Sequence, residues 1–242
     1  MSPQNSSFDS SSQNYLYSSD HKVGDDLDYV KRYFSNRRFN NLLDIATGAG
    51  HFTQVFEADR KVTCDYSFNM LITARTNYHL DLAVQSDSSN LPFRNDCFEI
   101  VTCRIAMHHF SHPNLFSQEV HRILTEKGFF VLIDSIVDIE DAYLNVIEYI
   151  RDRSHIRSMT VREIINFFHP TFRLEHFNTF YKKHNFEEWA KRLNPSKEQY
   201  QKIVEHFKKL PRHIKDELRI EEDDFNIISY TDKKGLFIFR KL

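Results

Sequence analysis

The stretch Leu42-Leu43-Asp44-Ile45-Ala46-Thr47-Gly48-Ala49-Gly50-His51-Phe52-Thr53 limits what this chain can become more than any other. A short apolar run meets a carboxylate, then a glycine-rich bend, then the run from His51 to Phe56, whose apolar positions fit a helix face. That order predicts a strand, a tight loop and a helix. Gly48 and Gly50 stand where a backbone must turn with positive φ or approach a ligand with no Cβ in between. Backbone N–H groups at the start of the following helix would then face that ligand. The dinucleotide fingerprint of nicotinamide enzymes, G-x-G-x-x-G, needs a third glycine where this chain has Thr53, so that match is incomplete.

The 242 residues are enough for one substantial core and would crowd two. Lys and Arg total 32 against 34 Asp and Glu, so the overall charge of −2 makes no electrostatic case for nucleic acid. Cys64, Cys97 and Cys103 lack C-x-x-C spacing and leave one thiol over in any disulfide scheme, which suits a reducing compartment. No apolar run approaches the ~18 residues of a membrane span, and the N-terminus lacks the basic-then-apolar order of a signal peptide. A cytoplasmic protein is expected. Residues 1–20 are too polar to offset their ordering entropy and read as a flexible tail, interrupted by Tyr15, Leu16 and Tyr17. Residues 21–242 then form a single domain.

Within that domain, Asp25 to Phe34 has helical spacing, with Asp25 and Asp26 favourable at the helix start. Short β-prone runs follow at Lys61–Asp65, Leu82–Gln85, Cys97–Arg104 and Phe129–Asp134, with a helix from Leu115 to Leu124 between the last two. This alternation argues for a parallel sheet covered on both faces. The polar outlets Asp44, Asp65, Asp87 and Arg104 then share one edge, where such sheets bind ligands. Asp65, roughly 20 residues past the first strand, is placed to accept hydrogen bonds from ribose hydroxyls. It also suits a helix cap, a role Ser67 could take instead. Residues 138–169 have a helical pattern, Arg173–Tyr181 is β-prone, and Phe186–Leu193 and Lys197–Leu210 are helical. Phe225–Tyr230 and Gly235–Arg240 read as two strands joined by a polar turn at Asp232-Lys233-Lys234.

Four segments agree in order with one family. Asp44-x-x-x-Gly48-x-Gly50, Asp65-x-Ser67-x-x-Met70-Leu71, Asp87 with Leu91-Pro92-Phe93, and Glu119-x-x-Arg122-x-Leu124 together resemble the class I S-adenosylmethionine-dependent methyltransferases. The resemblance is to the methyltransferase type 11 group of small bacterial enzymes near the quinone C-methyltransferases. Ala46 and Lys127 stand where that family usually has glycine. The resemblance implies a Rossmann-like, doubly wound, mostly parallel seven-stranded sheet, with a helical lid (138–219) inserted after the fifth strand. It implies S-adenosylmethionine as cofactor, bound by Asp44, Ala46, Thr47, Gly48, Gly50, Asp65, Tyr66, Met70, Asp87, Ser88 and Arg104. In that assignment Asp87 meets the adenine amino group, the Ser88 N–H a ring nitrogen, and Met70 lies beside the nucleoside. The bland alternative for Asp87 is an Asx turn. The N-terminal segment with Tyr17 would fold over the cofactor.

Methyl transfer is an in-line displacement, so alignment and exclusion of water dominate. A base is needed only for an acceptor that arrives protonated. His108 and His109 follow the fourth strand and are the candidates, with Arg104 beside them. Adjacent histidines do not converge on one ion, and no metal is expected. Read as one helix, the stretch 150–157 puts Arg151, Ser154 and His155 on one face and Arg153 and Arg157 on another, where a cation could meet an anionic or enolate-like acceptor. A surface ion-pair network is the alternative. Trp189 is either a pocket wall or a core anchor. The expected function is methyl transfer to a small molecule, without nucleic acid or a membrane span; the alternative is a catalytically silent cofactor-binding scaffold or regulatory protein.

Overall fold

The computed structural model describes residues 22–78, 80, 82–138, 142–224 and 226–242; the tail 1–20 with Tyr17, and Phe225, lie outside them. The elements are α1 (Asp25–Tyr33), β1 (Arg38–Ile45), a 3₁₀ turn (Phe52–Val55), β2 (Glu57–Asp65), α2 (Phe68–Tyr78), β3 (Leu82–Gln85) and β4 (Phe98–Arg104). A second 3₁₀ turn (Met107–His109), α3 (Pro113–Ile123), β5 (Leu124–Ile136), α4 (Ala142–Arg151), α5 (Val161–Phe168) and β6 (Phe172–Asn185) follow. The chain closes with α6 (Phe186–Lys191), α7 (Lys197–Lys208), α8 (Arg212–Glu217), the short β7 (Glu221–Glu222) and β8 (Ile227–Lys241). Seven strands lie in the order β3-β2-β1-β4-β5-β8-β6, with β7 paired to β8 as an eighth. Strands β1 to β5 pair in parallel, whereas β8 runs antiparallel between β5 and β6. The order reverses between β1 and β4, so their carboxyl ends flank the crevice where a ligand fits.

Successive strand residues alternate between the two faces, and both are apolar. Leu43, Ile45, Val101, Cys103, Phe130 and Leu132 pack under Phe116, Val120 and Ile123 of α3 and Ile164 and Phe168 of α5. Leu42, Ile100, Val131, Ile133, Leu236 and Ile238 pack under Leu27, Val30 and Phe34 around α1. A third cluster joins Leu144 and Ile147 of α4 to Trp189, Phe207, Ile214 and Tyr230. Trp189, 2 % exposed, is therefore a core anchor and not a pocket wall.

Several sequence expectations change. The helix expected after Gly50 is a single 3₁₀ turn, because β2 begins at Glu57 and leaves no length for more. Phe52 and Phe56 bury there even so. The two C-terminal strands and their turn are one strand, β8. Its charged middle is tolerated because Lys233 pairs with Asp138 and Glu217, and Asp232 lies 3.0 Å from His184. The helix expected through 150–157 ends at Arg151. Asp152 closes an Asx turn there, its Oδ1 accepting from Ser154 N at 2.9 Å, and that local bond competes with helix continuation. At the two positions where a glycine is replaced, Ala46 (φ 53°) and Lys127 (φ 59°) both adopt the left-handed region that favours glycine, at roughly 1–2 kcal/mol each.

Candidate active site

One cavity at the carboxyl edge of the parallel strands collects residues from four separate outlets. It is lined by Asp44, Ala46, Thr47 and Gly48 after β1, Asp65, Tyr66 and Met70 after β2, Asp87 and Ser88 after β3, and Arg104 and His109 after β4. Gly50 and His108, also expected in the site, are not among the residues that line it. At Gly50 (φ 88°) a Cβ would press on Ala74 and Tyr78 of α2, so the glycine serves the close approach of loop and helix. At Gly48 (φ 52°) an added Cβ would meet nothing within 4 Å, so here the backbone faces open space.

Each polar outlet is held by bonds the sequence leaves hidden. Asp44 is buried, and its carboxylate accepts from the hydroxyls of Thr102 (2.6 Å), Thr47 (2.7 Å) and Thr53 (2.8 Å). Burial pushes its carboxyl up although those three hydroxyls oppose the shift. Asp44 is thus first a clamp on the loop. Asp65 accepts from Gly48 N at 2.9 Å and from Ser67 N at 2.8 Å, fixing the glycine loop to the start of α2. The capping bond itself falls to Ser67, whose Oγ accepts from Met70 N at 3.2 Å. Asp87 accepts from Ser89 N (2.8 Å) and Oγ (2.7 Å), an Asx turn at the cavity rim. Glu119 and Arg122 of α3 hold the following Leu91–Phe93 segment through Leu91 N, Leu91 O and Phe93 O.

Arg104 forms a buried ion pair with Asp26 of α1, Nε to Oδ2 at 2.8 Å, with side chains 6 % and 5 % exposed. Burial opposes the charge on Asp26, but the Arg104 guanidinium outweighs it and holds the carboxyl below its ordinary value. The next residue, Ile105, has φ 55°, an outlier for a β-branched side chain and a point of stored strain in the cavity wall.

Behind the cavity three histidine rings meet: His108 lies 4.2 Å from His109 and 5.4 Å from His155 between centroids. Asp134, at the carboxyl end of β5, accepts from His108 Nδ1 at 2.5 Å and from its backbone N at 3.0 Å. Burial disfavours charge on His108, but Asp134 prevails and raises its pKa. Burial and the neighbouring His108 push His109 down to about 3. Burial and His108 likewise push His155 down to about 4. Ser154 Oγ lies 3.1 Å from His109 Nδ1. The remaining residues expected at a lid surface do not reach the cavity. Arg151 bonds Glu148 and lies over Trp189, and Arg157 pairs with Glu163 at the surface. The two expected helix faces, Arg151 with Ser154 and His155 and Arg153 with Arg157, do not form because the helix stops at Arg151.

Sequence reasoning gives no site role to Asp26, Asp134, Thr53 or Thr102. Asp134 carries the same signal as Asp44 and Asp65, a carboxylate ending a parallel strand, and was legible on that rule. Among the described residues, no group of His, Cys, Asp and Glu side chains is placed to hold a metal ion, and no helix is long and apolar enough to cross a membrane.

The methyltransferase domain family matches residues 43–132. The crystal structure of BH2331 from Bacillus halodurans C-125, a methyltransferase by assignment, is 30% identical, covers 90% of this chain and 99% of its own, and superposes with a TM-score of 0.84. YcgJ of Bacillus subtilis, an uncharacterized methyltransferase, is 28% identical over 208 residues, 81% of this chain and 80% of its own. Its crystal structure superposes with a TM-score of 0.82. A demethylmenaquinone methyltransferase of Chlamydia muridarum is 30% identical over 97 residues, 38% of this chain and 42% of its own. Likeness that runs nearly end to end in both chains, around a nucleoside-type loop, establishes that this protein belongs to the class I S-adenosylmethionine-dependent methyltransferases of the small bacterial type.

Proposed function

We propose that the protein is a cytoplasmic enzyme that methylates a small-molecule acceptor, with residues 21–242 as one domain and, within the segment 138–219, α4 and the loop 152–158 as its lid. The observation that carries this reading is the cavity itself: Gly48, Asp65 and Asp87, from three successive outlets, share one space with His109. The residues fit the cofactor. The open backbone at Gly48 leaves room for close approach, Asp65 suits the ribose hydroxyls, and Asp87 and Ser88 suit the adenine edge. When bound, S-adenosylmethionine supplies an electrophilic methyl carbon on its sulfonium. The chain's own task is to align the acceptor, exclude water and receive a proton, and alignment can contribute about 7–11 kcal/mol.

A quinol-like acceptor suits the site better than an anionic one. Arg151 and Arg157 each pair with a glutamate, and the partial relative is named for a quinone precursor. Asp65→Ala should weaken S-adenosylhomocysteine binding by about ten- to a hundredfold, since charge-assisted hydrogen bonds contribute roughly 1.5–3 kcal/mol each. Calorimetric titration of wild type and variant checks this. Unchanged affinity would remove Asp65 from the cofactor site.

A further inference from the structure

The loop that follows α4 carries a hydrogen-bond chain whose directions are fixed. Asp152 Oδ1 accepts from Ser154 Oγ at 2.7 Å and from Ser154 N at 2.9 Å. A serine hydroxyl has one proton, and here it goes to Asp152. At the 3.1 Å contact between Ser154 Oγ and His109 Nδ1, the serine oxygen therefore accepts and the ring nitrogen donates. His109 is thereby the Nδ1–H tautomer, and Nε2 is its basic atom. The loop cannot drift from the ring, because Ile156 N and Arg157 N donate to His108 O at 2.9 and 3.1 Å. The third ring is set independently: Asn145 Oδ1 accepts from Ser158 N at 2.7 Å, so His155 Nε2, 2.9 Å from the same oxygen, also donates.

We propose, building on the methyltransferase reading, that Asp152 and Ser154 are positioning residues that lock His109 in the tautomer whose Nε2 takes the acceptor's proton. As the acceptor atom bonds to the methyl carbon, the carbon–sulfur bond breaks and sulfur keeps its electron pair. The acceptor's proton passes to His109 Nε2, and Asp152 steadies the resulting imidazolium across Ser154. The groups that set the charge here are His108 with Asp134, His155, Asp152, and the Glu148–Arg151 pair.

The test is histidine-selective ¹⁵N labelling of the full chain, reading the His109 ring nitrogens between pH 5 and 8 in wild type, Ser154→Ala, Ser154→Thr and Asp152→Asn. Wild type and Ser154→Thr should show protonated Nδ1 and unprotonated Nε2, whereas Ser154→Ala and Asp152→Asn should give mixed tautomers with the His155 signals unmoved. An Nε2–H tautomer in wild type, or an unaltered ring in Ser154→Ala, would overturn the lock. Transfer of labelled methyl to a panel of hydroquinones, enols and amines tests the chemistry. Ser154→Ala should lose ten- to a hundredfold in kcat with KM nearly constant, and Ser154→Thr should recover it. An unchanged kcat in Ser154→Ala on every accepted member of the panel would overturn the proton-transfer role. S-adenosylhomocysteine titration separates the two levels: wild type that fails to bind it sinks the methyltransferase reading, whereas tautomers that disobey beside intact binding sink the lock alone.

Discussion

Asp26→Ala should lower the free energy of unfolding by about 3–5 kcal/mol, the usual consequence of removing one partner from a buried ion pair. Asp26 and Arg104 are both nearly inaccessible, at 5 % and 6 % exposure, and they join α1 to the outlet of β4. Without that carboxylate the Arg104 guanidinium keeps its desolvation cost and loses the buried charge it pairs with. Because Arg104 also lines the cavity, S-adenosylhomocysteine affinity should fall in the same variant. The double variant Asp26→Leu/Arg104→Met should regain part of the lost stability, since apolar replacement removes the buried charge altogether. Urea denaturation of the three proteins measures this directly. A loss below about 1 kcal/mol in Asp26→Ala would mean that the pair is solvated like a surface bridge.

Acidification from pH 7 to pH 5 should destabilise the protein by about 2–4 kcal/mol through its histidine cluster. The sign follows from which state binds more protons. With folded values near 3 for His109 and near 4 for His155, the unfolded chain takes up protons on both rings below its own value of 6.5 while the native chain does not. Stability therefore falls as pH drops through that window. His108 acts in the opposite sense: its raised pKa gives a contribution that is complete below 6.5 and is lost as pH rises through the folded value. The carboxyls of Asp26 and Asp152, held low, begin to lose their contributions only as pH falls below the unfolded value of 3.8. Denaturation midpoints across pH 5–8 check the slope, and His155→Gln should remove roughly half of it. A flat profile would mean that both rings are solvated in the native state.

Most of the parallel half of the fold was legible because its signals are local. The apolar runs ending in Asp44, Asp65 and Arg104 mark strands that pair where the sequence put them, and the glycine loop marks the switch point. What failed was non-local. Asp232-Lys233-Lys234 has turn composition, yet His184, Asp138 and Glu217 from distant segments neutralise Asp232 and Lys233 inside β8. Asp26 read as a helix-start charge because its partner lies 78 positions away. Asp152-x-Ser154 sits inside a helical periodicity that predicts continuation, and the side-chain bond between Asp152 and Ser154 N ends the helix against that pattern. In the site, the cavity gathers the residues of the nucleoside segments, whereas the cationic face inferred for the acceptor dissolved with the helix that would have carried it.

The proposed function requires that the cavity between the outlets of β1, β2, β3 and β4 bind S-adenosylmethionine. Calorimetric titration of the purified full chain with S-adenosylhomocysteine, with NADH as the control, tests it most directly. Micromolar, one-to-one binding of S-adenosylhomocysteine and none of NADH is the expected result, which fits a loop with Thr53 in place of a third glycine. Binding of NADH, or of neither compound, would contradict it.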